Sequence, residues 1–89
     1  MRAAEIRDPK LRDQALRAAK SACLNTAEAA GRASPADKAR VYAIARGECV
    51  EAAAAVEIAA IADDATAEAA EAVIAAADRL YALLTGLIR

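Results

Sequence analysis

The side chains best suited to chemistry are four glutamates in the middle of the chain: Glu28, Glu48, Glu51 and Glu57. Inward-facing glutamates hold two metal ions in di-iron helical proteins, but those sites also require two Glu-x-x-His pairs. The sequence contains no histidine, so residues 48–51 supply only the carboxylate half of such a motif. We therefore expect no metal site and no cofactor, and we interpret Glu48 as the partner of Arg17 or Arg79 in a half-buried ion pair.

Nucleophilic catalysis is the second chemistry to consider, and the chain has two cysteines, Cys23 and Cys49. Neither has a histidine to act as its base. A tight turn at residues 31–34 would place Cys23 level with Tyr42, which leaves the two sulfur atoms roughly 10 Å out of step. We expect two small buried residues without a disulfide. Phosphate-binding glycine loops are also absent from the sequence, which predicts neither an enzyme nor a small-molecule site.

Phosphate binding through basic side chains is the third possibility. Residues 1–46 carry a net charge of +5 and residues 47–89 a net charge of −6. Such asymmetry is typical of an anion-binding surface, or of a basic helix that lies against acidic helices of the same chain or a neighbour. No aromatic platform for base stacking accompanies the basic residues. The candidate nucleic-acid contacts are Arg7, Lys10, Arg17, Lys20 and Arg32.

Three helices are predicted to position these side chains. Thirty of the 89 residues are alanine, the best helix former and the poorest core filler. Asp8-Pro9 and Ser34-Pro35 are N-cap and first-turn pairs, and Gly31 is a candidate C-cap. We predict a short N-terminal segment, 1–8, and one domain over 9–89, with helices at 9–31, 35–62 and 65–88.

The spacing of apolar residues predicts how the helices pack. Positions 11–29, 41–59 and 70–87 each repeat small or apolar residues at alternating steps of four and three, as in left-handed helical bundles. Asn25 occupies one of these seams. Gly47 with Ala54 leaves room for a close helix crossing. The second helix carries further apolar residues outside its seam, so the predicted fold is an all-α, antiparallel up-down bundle that self-association completes.

Four stretches resemble a known family. Residues 25–32 read NTAEAAGR, which resembles the N-x-A-E-G-x-G-R stretch of bacterial four-helix-bundle proteins encoded within 23S rRNA intervening sequences. Residues 11–21 are similar to that family's Q-L-R-R-A-x-x-S segment, residues 45–51 to its A-x-G-S-x-x-E, and residues 84–88 to its closing L-x-x-L. The accessory variability determinants of diversity-generating retroelements are relatives of this family.

The resemblance implies a helical bundle that self-associates, often into rings. It also implies a structural role for the matching positions, which are Asn25, Glu28, Gly31, Arg32, Gly47 and Glu51. The retroelement relatives bind a reverse transcriptase and nucleic acid. Family members usually carry a whole helix ahead of the segment at residue 11; either that helix is missing from this sequence or the bundle is completed differently.

The sequence thus predicts a non-enzymatic, self-associating scaffold or adaptor. The alternative is an accessory protein that binds RNA or a reverse transcriptase through a basic face on the first helix. No apolar leader and no run of about 18 apolar residues occurs, so we expect a cytoplasmic protein with no membrane partner.

Overall fold

Three α-helices make up the fold in a computed structural model, which describes residues 6–89. They are α1 (Pro9–Ala30), α2 (Pro35–Ile61) and α3 (Ala67–Ile88), and residues 6–89 contain no strand. The all-α prediction is confirmed, and each helix end lies within two residues of the predicted position. Part of the predicted N-terminal segment, residues 1–5, lies outside the described residues.

Each helix begins at a side chain that accepts hydrogen bonds from the first turn. Asp8 accepts from the backbone N–H of Lys10 at 2.8 Å, and Ser34 accepts from that of Asp37 at 3.0 Å. Thr66 accepts from Ala69 N–H at 3.1 Å, which begins α3 two residues later than predicted. These caps satisfy N–H groups that have no partner inside the helix.

The central helix is α2, and α1 and α3 both pack against it. No Cα atom of α1 lies within 8 Å of a Cα atom of α3. Arg17 of α1 contacts Glu51, whereas Cys49 contacts Ala77 of α3, so the two outer helices lie on different sides of α2. The helices alternate in direction, because the end of α1 and the end of α3 both lie near the start of α2.

The loop after α2 holds the segment that precedes α1. Asp63 adopts a left-handed φ of 62°, a conformation that Asp tolerates better than most residues. The Arg7 N–H donates to the Asp64 carbonyl at 2.8 Å. This bond seats Ile6 in an apolar cluster with residues from all three helices, where it has 0% of its surface exposed.

The buried core consists mostly of alanine. The largest fully buried side chains are Ile6 and Leu84, one at each end of the molecule. Leu84 packs with Val41, Tyr42 and other residues near the α1–α2 turn. Alanine removes little apolar area from water, so this core stabilises the chain only weakly.

One prediction about packing requires correction, and another stays a prediction. Nothing outside its own helix backbone lies within 4 Å of a Cβ built on Gly47, so the close crossing for which this residue leaves room does not occur within the described chain. The residue lies on an exposed part of α2, because α1 and α3 pack against other sides of that helix. Cys23 is exposed rather than buried, whereas Cys49 is buried as expected, and both are free thiols.

Candidate functional site

One concave feature is a groove that α1 and α3 form over α2. It includes a cavity of about 140 Å³ to which all three helices contribute. Ile6 closes one end. The lining residues, which we call the groove, are Ile6, Ala15, Leu16, Ala19, Ala52, Val56 and Val73. None of these side chains has a polar or charged group, so the cavity offers no ligand for a metal and no acid or base.

The edges of the groove carry large apolar side chains that face solvent. Val73, Leu80 and Leu87 follow one another at seven-residue spacing, which places them on one stripe of α3. Leu87 is 53% exposed, and Leu83, which flanks the stripe, is 66% exposed. On the opposite edge, Leu16 of α1 is 41% exposed. Large apolar side chains therefore continue along α3 beyond the cavity.

A second apolar surface lies on α2 itself. Its large side chains are exposed, and we call them the outer α2 surface: Ile44, Val50, Ile58 and Ile61. Ile61 is the most exposed of them, at 81%. Isolated apolar residues are normal on protein surfaces, whereas contiguous apolar patches are typical of interaction sites.

The family-motif residues of α1 form local contacts. The Asn25 amide donates to the Ser21 carbonyl at 2.9 Å and to the Ser21 hydroxyl at 3.1 Å. Its side chain is therefore satisfied within α1, without help from the loop. Gly31 is the C-cap of α1 with a φ of −88°, so this turn does not require the left-handed conformation that glycine favours.

Charged side chains join the end of α1 to the start of α2. Arg32 pairs with Glu28 and, at 3.2 Å, with Asp37, which also binds Arg40 at 2.9 Å. The hydrogen bond with Glu28, together with the charges of Asp37 and Glu28, raises the pKa of Arg32. Hydrogen bonding from Arg40 and the charge of Arg32 lower the pKa of Asp37. These pairs were not predicted from the sequence; the spacing of four residues between Glu28 and Arg32 is a signal for the first, whereas the link to Asp37 depends on the geometry of the turn.

The predicted pairing of Glu48 with Arg17 or Arg79 is wrong. Arg17 instead pairs with Glu51 at 3.2 Å. The Arg17 side chain is 67% exposed, and it reaches Glu51 at the rim of the α1–α2 interface rather than Glu48, whose carboxylate is more buried. Within residues 6–89, Oε2 of Glu48 is buried and has no hydrogen-bond partner.

The candidate nucleic-acid contacts lie on α1 and beside its two ends, and three of the five already bind oxygen atoms of the chain. Arg7 donates to the Asp63 carbonyl, and Arg17 and Arg32 are paired with carboxylates. Lys10 and Lys20 have no acidic side chain within 4 Å in the described part of the chain. Lys10, Arg17 and Lys20 lie on α1, which has 22 residues and is about 33 Å long, whereas Arg7 and Arg32 lie just beyond its two ends.

The two thiols have different surroundings. Cys49 donates to the Ala77 carbonyl at 3.2 Å, and burial raises the pKa of its thiol. Cys23 lies beside the groove, in a shallow depression that it shares with Ala19, Lys20 and Leu24. Its exposure is a feature that sequence reasoning missed, because the seam pattern alone does not show which flank of α1 is covered.

The chain is similar to a known protein family. The family model for 23S rRNA-intervening sequence protein matches residues 2–86. The chain belongs to this family. Neither the curated proteins nor the solved structures gave a match. The match includes every motif position from Asn25 to Glu51, and the resemblance noted in the sequence is confirmed.

Two further findings describe the helices of this family member. None of those in the described residues is both long and apolar enough to pass through a bilayer. In residues 6–89, no three cysteine or carboxylate side chains come together as a metal site would require.

Proposed function

We propose that this member of the 23S rRNA-intervening sequence protein family is a non-enzymatic scaffold or adaptor whose helices self-associate. The observation that supports the proposal is the inverted distribution of large and small apolar residues. Folding places alanines inside and leaves leucines and isoleucines outside, which is the opposite of what a self-sufficient domain requires.

The count of large side chains makes the imbalance concrete. In the described chain only five are buried: Ile6, Val41, Tyr42, Val56 and Leu84. Nine are exposed: Leu16, Leu24, Ile44, Val50, Ile58, Ile61, Tyr81, Leu83 and Leu87. Each would contribute about 1.5–3 kcal/mol if it became fully buried. Association is the process that removes such surfaces from water.

The dimensions of the molecule support the same proposal. Its radius of gyration is 13.7 Å, against about 12 Å for a compact domain of this length. Its accessible surface is 5521 Å², against about 4900 Å² for a compact protein of this mass. The chain therefore has more surface than a monomer of its size needs, and a large part of that surface is apolar.

Light scattering after size-exclusion chromatography tests the proposal. We expect the mass to rise above that of one chain as the protein concentration passes through the micromolar range, together with an increase in melting temperature. A stable, folded monomer at every concentration would contradict self-association. Circular dichroism of the same fractions shows whether the helices are retained.

A second candidate function, RNA binding, has the support of Lys10 and Lys20, which have no acidic partner among the described residues. Fluorescence anisotropy with single-stranded RNA at about 50 mM salt tests it. Replacement of both lysines by glutamine should lower the slope of log K against log salt by about 1.4, and Arg40→Gln, at a cation paired with Asp37, is the control. An absence of binding at that salt concentration would exclude this candidate.

A further inference from the structure

We propose that a pocket at one end of the molecule binds a small carboxylic acid with an aliphatic body. The pocket has a volume of about 350 Å³ and lies where the α1–α2 turn, the start of α2 and the end of α3 meet. We call it the end pocket, and its walls include Pro35, Lys38, Tyr42, Leu87, Ile88 and Arg89. This inference goes beyond the proposed scaffold function and does not depend on self-association.

Two helices supply the apolar walls of the end pocket. Pro35, Lys38 and Tyr42 follow one another at steps of three and four residues, so they share one face of α2. Leu87 and Ile88 come from the last turn of α3. Tyr42 belongs to the buried cluster at this end of the molecule, and Ile88 packs against that cluster. The end pocket is therefore built on the core and not on loose surface side chains.

The turn beside the end pocket is held in place by polar contacts. Arg32 pairs with Asp37 across the turn at 3.2 Å, and the Ser34 hydroxyl accepts from the Asp37 N–H at 3.0 Å. These contacts fix the start of α2 relative to the end of α1. A pocket that is formed before the ligand arrives loses less free energy to the ordering of its walls.

Two basic side chains border the end pocket without an acidic partner. In the part of the chain that the structure describes, no carboxylate oxygen lies within 4 Å of the charged nitrogens of Lys38 or Arg89. Asp37, which precedes Lys38, binds Arg32 and Arg40 instead. Lys38 is half-buried, and packing of its methylene groups explains that burial but leaves the ammonium group unpaired. An anion is the ligand that this pair of cations favours.

The surrounding charge also favours an anion. Residues 28–40 together with Arg89 carry four basic and two acidic side chains. Excess positive charge around a concave site raises the local concentration of anions and lowers that of cations. No sequence motif indicates this site, because Lys38 and Arg89 are far apart in the chain.

The chemistry of the walls defines the class of ligand. Ligand pockets usually measure about 300–1,000 Å³ and combine apolar walls with a few polar groups, so the end pocket suits a small ligand. Its aliphatic body would lie against Leu87 and Ile88, and its carboxylate would bind Lys38 and Arg89. A phosphate monoester carries nearly two negative charges, and more charge would then have to leave water at apolar walls.

Octanoate is the probe for this site, added to the isotopically labelled chain and followed by two-dimensional amide NMR at about 50 mM salt. We expect saturable shifts at the amides of Lys38, Tyr42 and Ile88. With about ten non-hydrogen atoms in the probe, we expect a dissociation constant of about 1 mM. Acetate has the charge without the aliphatic body, and octylammonium has the body with the opposite charge. Both should bind at least about tenfold more weakly.

Matched substitutions locate the site. Lys38→Gln and Arg89→Gln each remove one charge-assisted hydrogen bond, so each should weaken octanoate binding by at least about tenfold. Lys20→Gln is the control, because Lys20 also lacks an acidic partner and lies beside an apolar depression with Cys23 and Leu24. It should leave the affinity unchanged. Circular dichroism checks that each variant keeps its helices.

The remaining outcomes overturn the inference. Shifts that centre on the exposed Leu83 and Ile61, or octylammonium that binds as tightly as octanoate, would mean that the probe binds apolar surface in general. An equal loss of affinity in Lys20→Gln and Lys38→Gln would have the same meaning. Acetate that binds as tightly as octanoate would refute the class of ligand, and no saturable shift at about 20 mM octanoate would refute the site. Light scattering measures self-association separately, so failure here leaves the proposed function standing.

Discussion

Two adjacent leucines of α3 allow the packing to be tested most directly. Leu84 has 0% of its surface exposed, whereas Leu83 is 66% exposed. Truncation of each to alanine removes the same atoms from neighbouring positions on one helix. Any difference in stability therefore reports the surroundings of the side chain and not the helix propensity of the residue.

The expected cost of Leu84→Ala follows from complete burial. Leucine-to-alanine changes in protein cores cost about 2–5 kcal/mol, because the cavity collapses only in part. A chain of this length has a free energy of unfolding of roughly 4–13 kcal/mol, so the loss is a large fraction of the total. At about 4–8 °C per kcal/mol, the melting temperature should fall by at least about 8 °C.

The expected cost of Leu83→Ala depends on association. In a single chain only about a third of this side chain is buried, so truncation should cost about 0.5–1 kcal/mol. If the proposed self-association buries this side chain, the cost should rise with protein concentration toward the cost at Leu84.

Urea unfolding at several protein concentrations, followed by circular dichroism, measures both costs. The slope of the free energy against urea shows whether the variant still unfolds from a compact state. An unchanged midpoint for Leu84→Ala would show that the α2–α3 interface is misplaced. A Leu83→Ala cost that stays near about 0.5–1 kcal/mol in the associated protein would refute burial of this side chain on association.

Three further predictions concern polar and backbone positions. Glu48→Ala should raise the stability by about 1 kcal/mol, because it removes a buried oxygen that lacks a donor; a lower melting temperature would show that this carboxylate has a favourable role. Gly31→Ala should stabilise by about 0.4–1 kcal/mol, since its φ suits alanine and the added Cβ would lie 3.6 Å from the Glu28 carbonyl oxygen; a loss in urea unfolding would contradict this. Because the pKa of Asp37 is lowered in the folded state, its carboxylate stabilises the fold above about pH 4, and this contribution is lost as pH falls through the folded-state pKa. Thermal melts at about pH 2–6 measure this loss, and Asp37→Asn should remove it from the acid dependence of the melting temperature.

The local features of this protein were predictable from sequence because they depend on neighbouring residues. Asp8 and Ser34 cap helices whose first residue is proline, and both helices begin where the sequence indicates. The third helix was placed two residues too early, because Thr66 and not an earlier residue accepts the bond from the first turn. The match at residues 2–86 likewise confirms the family that the motifs indicated.

The contacts between helices were less predictable. The alternating steps of four and three residues show that each helix has an apolar seam. They do not show on which side of that seam a neighbouring helix packs. Arg17 therefore pairs with Glu51 and not with Glu48, and Cys23 is exposed although it lies near the seam of α1.

The sequence by itself determined three helices, the N-caps of the first two, a core poor in large side chains and the family. Only the tertiary structure decided that α1 and α3 lie against different sides of α2 without approaching each other. That arrangement opens the groove and leaves Leu83 exposed while Leu84 is buried. The physical reason is that hydrogen bonds within a helix involve residues close in sequence, whereas the position of one helix around another depends on side chains that are distant in sequence.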